Sequence, residues 1–109
     1  MSIDVGAIVT AMVAAGKASL KTSWPKVREY VSAESQKMAT TFAQIEALTL
    51  AGKINQAEAS VLFEMQKNAS RAVLLSVKGM GLIAVEMAIN AAIDAVRGSV
   101  NGALGFALL

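Results

Sequence analysis

A chain of 109 residues without cysteine or histidine has no disulfide, no thiolate metal site and no thiol nucleophile, and it lacks the commonest general base and transition-metal ligand. Its charged fraction of 17% and net charge of +2 come without any basic run that could track phosphates, so nucleic acid is not an expected partner. Hydrophobic residues make up 55% but aromatics only 5%, which leaves Ala, Val, Leu, Ile and Met to build closely packed helices, as one all-α domain over residues 1–109 or one protomer of an assembly.

Ser2 or Asp4 opens the first expected helix, about residues 3–21, with Asp4 well placed near its positive end. Ile8, Met12, Val13 and Leu20 alternate there with alanines, and Thr10, Lys17 and Lys21 form a thin polar side. The charge-free run from Val5 to Gly16 is shorter than the roughly twenty residues a bilayer span requires. Proline removes a helical hydrogen bond unless it sits in a first turn, so Trp24-Pro25 marks a break or a kink.

The second helix is read over about 25–51. Its seam is Val27, Val31, Met38, Ile45 and Leu48, flanked by Tyr30 and Phe42, in the alternating steps of three and four of a coiled-coil-like face. Glu34 and Thr41 fall on that seam. Glu34 either reaches water at the edge or is a buried carboxylate in need of a cation. Gly52 suits the left-handed position after a helix, and Asn55 to Glu58 has the pattern of a capping box, which together predict a tight turn between two helices.

The third helix, about 56–78, is read with Val61, Met65, Ala69, Val73 and Val77, beside Leu62, Ala72 and Leu74, as its apolar side and Ser60, Glu64, Lys67, Arg71 and Lys78 opposite. Gly79 and Gly81 weaken the helix before a fourth stretch, about 82–97, so residues 56–97 form either one helix or two. In that final arm Glu86, Asn90, Asp94, Arg97 and Asn101 make a narrow polar stripe on an otherwise apolar circumference, the pattern of a helix buried on several sides. Beyond Gly98 the expectation is a frayed or partner-bound tail.

An antiparallel hairpin about Lys53 pairs residues whose numbers add to about 105 to 107, given equal helical rise on both arms. Glu34 then lies beside Arg71, Glu29 beside Lys78 and Glu86 beside Lys21. On the same register Pro25 lies level with Gly79 to Gly81, so both arms weaken at one height, where charge density also falls. Two architectures follow: a long antiparallel helical hairpin bent at a hinge of Pro25, Gly79 and Gly81, or a four-helix bundle folded back there.

No catalytic, cofactor-binding or metal-ligating residue is assigned. Ser76 and Lys78, two apart, do not share a helical face, and Met38, Met65, Met80 and Met87 read as core filler. The first functional reading is a non-enzymatic structural or interaction protein that self-assembles through Ala- and Gly-rich arms, as a homo-oligomer or with a helical protein partner. Its contact residues would be Ile8 and Met12 of the first arm and Ile83, Ala84, Ala88, Ile89, Ala92, Ile93, Val96, Gly98 and Gly102 of the last. The alternative is a membrane-active helical protein that oligomerises and inserts those arms into a bilayer, although no segment has full transmembrane length. Composition leaves the compartment undetermined.

Overall fold

The computed structural model describes residues 3–109 and is all-α. Its four helices are α1 (Val5–Leu20), α2 (Trp24–Leu50), α3 (Gln56–Leu75) and α4 (Leu82–Leu104). Ser2 lies outside the described residues. Asp4 caps α1, its carboxylate accepting the Ala7 N–H.

The chain folds back at the level where both arms weaken. Helix α1 ends at Leu20, Lys21 takes a positive φ of 49°, and one 3-10 turn over Lys21–Ser23 leads into α2 with Pro25 in its first turn. Proline therefore starts a helix there and interrupts none. On the other arm α3 stops at Leu75, and the connection reaches Gly81, the extended residue that precedes α4. Within it Gly79 has φ +90°, a conformation that side chains other than glycine's seldom adopt, and a Cβ there would also meet the Lys26 ammonium at 3.0 Å. Residues 56–97 thus form two helices. The longest dimension is 43 Å, close to the roughly 40 Å of α2 alone, whereas an unfolded-back hairpin would be about 70 Å long.

Neighbouring helices alternate in direction. The Ile3 N–H donates to the Glu46 carboxylate, which sets the start of α1 beside the end of α2. The first turns of α1 lie along Ala95, Val96, Ser99 and Ala103 near the end of α4. Helix α1 packs extensively on α2 and α4 and α2 on α3, whereas α3 touches α4 far less. Ile8, Met12, Gly16 and Leu20 form the buried stripe of α1. A Cβ on Gly16 would stand 3.0 Å from Val31 Cγ1, so glycine permits the close α1–α2 approach. Phe42, Met12, Ile45, Val27, Val85 and Val96 are among the largest fully buried side chains of a single core fed by all four helices.

The hairpin register is the expected one. Phe42 packs on Phe63 with ring centroids 5.5 Å apart, and Lys26 lies against Gly79. The turn forms as expected, with Gly52 at φ +69° and a complete capping box in which Asn55 and Glu58 bond each other's backbone N–H.

Three expectations are corrected. Helix α4 continues past Gly98 to Leu104, and the tail is not frayed: after the left-handed Gly105 it turns back, the Leu108 and Leu109 N–H groups donate to Asn101 Oδ1, and Leu108 is buried. Helix α3 does not present Val61, Met65 and Ala69 to the core. Of the expected apolar side Leu74 is buried, joined by Ala59, Phe63 and Ser70, because a step of four residues drifts about 40° per repeat and a run of such steps leaves one face for another. The Glu34–Arg71 pair does not form among the described residues. Glu34 accepts from Lys37 Nζ at 3.0 Å and Arg71 bonds Glu86; a shared height fixes level but not direction, and Arg71 turns toward α4.

Candidate interaction surface

The outward turn of α3 leaves an apolar groove between α2 and α3. It encloses about 660 Å³, with Thr41, Gln44, Ile45 and Leu48 on one wall and Leu62, Met65 and Ala69 on the other. Val61 is 58% exposed and Met65 63% exposed. The lining contains no charged residue. The sequence pattern placed Val61, Met65 and Ala69 on the apolar side of α3, with Met65 as core filler; the signal that could have separated them is Phe63, which with Ala59 and Ser70 defines a competing inward face.

A second exposed apolar strip opens α4, where Leu82, Ile83 and Met87 face solvent. Of the arm residues expected to make intermolecular contacts, Ile83, Ala84, Gly98 and Gly102 are exposed. Ile8, Met12, Ala88, Ile89, Ala92, Ile93 and Val96 are instead buried within the chain. The reason is that α1 and α4 satisfy each other: each offers small residues and an apolar stripe, and the fold-back places them side by side.

Arg71 reaches across the thin α3–α4 seam to Glu86 and also donates to Asn68. The hydrogen bond to Glu86 raises the Arg71 pKa, and the same bond lowers that of Glu86. In the core, Glu34, Ser35 and Ser70 line a cavity of about 20 Å³ together with Met12, Met38 and Ile89. Ser70 accepts from Gln66, while Glu34 Oε1 has no hydrogen-bond partner in the protein. Ser76 donates to the Val73 carbonyl at the end of α3. Among the described residues no three acidic side chains gather as metal ligands would, and no helix is long and apolar enough to cross a membrane.

The fold defines a small four-helix protein with an apolar groove between α2 and α3 whose lining carries no charge. No protein-family model, curated protein or solved structure is significantly similar to the chain.

Proposed function

We propose that the chain is a non-enzymatic structural or interaction protein that self-assembles or binds a helical partner through apolar surface left outside its core. The observation that carries this reading is that apolar area on Val61, Leu62 and Met65 of α3 and on Leu82, Ile83 and Met87 of α4 stays exposed after all four helices have packed. Clustered exposed apolar patches on a small domain mark sites of association. Helical packing through exposed Met and Leu is also a recurrent recognition mode. Sedimentation of the protein in plain buffer across a range of concentrations tests it. Reversible growth in mass is the expected result, and a compact monomer at all concentrations speaks against self-assembly.

A membrane-active reading draws on one observation, that α4 packs mainly on α1 while its seam with α3 is slight. Under it the α1–α2 contact opens when lipid is present, and the two arms leave the α2–α3 hairpin together. Dye release from anionic vesicles, with sedimentation as the companion measurement, separates the two readings.

A further inference from the structure

We infer that the fold-back end of the bundle docks on an anionic lipid surface, with its lysines and arginine against lipid phosphates and the start of α4 in the interface. It is the folded chain that docks, so neither self-assembly nor release of the arms is required.

The first observation is charge. The sequence has no basic run, but the fold gathers cations from separate segments. Residues 17–28 carry Lys17, Lys21, Lys26 and Arg28, residues 75–85 carry Lys78, and neither segment contains an acid. All five cations are exposed. The two segments meet at one end of the molecule, where Lys26 lies against Gly79 and lines an open recess with Tyr30, Ser76 and Lys78. None of the five is more than about 8 Å along a helix axis from a connection. Of the nearest acids, Glu86 is taken up by Arg71, which leaves Glu29. Over residues 17–30 and 71–87 six cations stand against two anions, a net charge of +4, and the rest of the chain, with four cations and six anions, carries −2. The modest overall charge thus hides a basic end and an acidic remainder.

The second is apolar surface at that same end. Leu82 is 57% exposed, Ile83 78% and Met87 60%, all within the first two turns of α4. A nucleic acid would match the cations and leave these aliphatic side chains in water. The cations belong to α1, α2 and both connections, so they are spread over a cross-section of 22 × 18 Å. A helix in a groove would reach one side of such an end, whereas a flat charged surface meets all of it. Stable docking on a bilayer takes two signals, a basic patch and inserted apolar area. Each lysine or arginine near an anionic surface adds roughly fivefold in affinity. Here both signals fall on one end.

Co-sedimentation of the full chain with vesicles of phosphatidylglycerol and phosphatidylcholine tests this, with circular dichroism confirming that each variant keeps its helix content. Binding should fall by at least about tenfold when phosphatidylglycerol is omitted or salt is raised from about 0.05 to about 0.5 M. Lys26→Glu with Lys78→Glu should weaken it by at least about tenfold. Lys53→Glu with Arg97→Glu, the same change of net charge at the other end, should leave it within about threefold. Ile83→Gln should weaken it by at least about threefold without altering the salt dependence. Trp24, the only tryptophan, opens α2 at the docking end, so phosphatidylglycerol brominated near its headgroup should quench it. Equal losses from the two charge-reversed pairs would show that net charge is read and not this end, and would overturn the assignment. Equal binding to neutral vesicles, or none to anionic ones, would also overturn it, while self-assembly is measured without lipid and stands or falls separately. Binding to a short DNA duplex or to polyglutamate but not to vesicles would make the partner a soluble polyanion and overturn the lipid assignment. Bound vesicles should retain a trapped dye; leakage would mean that the arms insert and that the folded chain does not dock intact.

Discussion

Glu34 is the residue at which burial and charge conflict most directly. It is 4% exposed, one carboxylate oxygen is held by Lys37 a turn away, and the other has no partner. Removing the cation leaves a buried charge alone, whereas replacing the carboxylate by an apolar group of similar size removes the conflict. Lys37→Met should therefore destabilise the fold by about 1–2 kcal/mol, the lysine being more than half exposed and its effect reduced by solvent. Glu34→Met should fall within about 1 kcal/mol of wild type or above it. Urea midpoints of the two variants check the asymmetry, and equal losses would show that the pair acts as a net attraction. The glycines of the α3–α4 connection separate in the same way. Gly79 requires its positive φ, so Gly79→Ala should cost about 1 kcal/mol or more. Gly81 is extended at the cap of α4 with open space around it and no capping side chain, so Gly81→Ser should add about 0.5 kcal/mol.

Among the elements, α3 depends most on its ends. It has the only reciprocal capping box among the described helices, and its outer half is unpacked apart from the groove wall. Asn55→Ala should lower stability by about 1 kcal/mol, with hydrogen exchange at Glu58 and its neighbours quickening before the rest of the molecule is affected. The same mutation in a chain whose α3 was held mainly by packing would leave local exchange close to the global rate. Helices α1 and α4 behave differently, because each buries its stripe against the other and small residues bring them close. On its other side α1 meets α2 closely at Gly16, and Gly16→Ala tests that contact: the added methyl must displace Val31, and a loss of about 1 kcal/mol or more is expected from thermal unfolding.

For the whole molecule, the thin seam between α3 and α4 is held by Arg71 and Glu86. Glu86 has its pKa lowered in the folded state by the Arg71 hydrogen bond, so the pair contributes stability above the ordinary glutamate value of 4.5 and loses it as pH falls through the lower folded value. The stability of wild type and Glu86→Gln should accordingly differ at neutral pH and converge in acid, as read from urea unfolding at several pH values. A difference that persists unchanged below the carboxylate range would mean that packing and not charge closes the seam. Spin labels on α3 and α4 address the same seam under lipid: under the assembly reading their separation is unaltered by vesicles, and under the membrane-active reading it lengthens.

The all-α class, the tight turn at Gly52 and the capping box at Asn55 and Glu58 follow from local chemistry, as does the level at which both arms weaken. Each depends on residues a few positions apart, and glycine, proline and cap side chains act on their own backbone. Hairpin register was legible for a related reason, since equal helical rise on both arms fixes which residues share a height. The direction in which a side chain leaves the helix at that height was not. Arg71 is level with Glu34 yet bonds Glu86, and Val61 and Met65 lie outside while Phe63 lies within. With so many apolar residues on α3, two faces competed on nearly equal terms. Phe42 across the hairpin decided between them, because only the inward turn of Phe63 buries both rings. Likewise the arms are apolar enough to seek a partner, but that the partner is largely the other arm of the same chain depends on the fold-back at Lys21–Ser23 and Gly79, which brings α1 against α4. What remained exposed, and hence the candidate interface, is the remainder of that choice and could be read only once the helices had been placed.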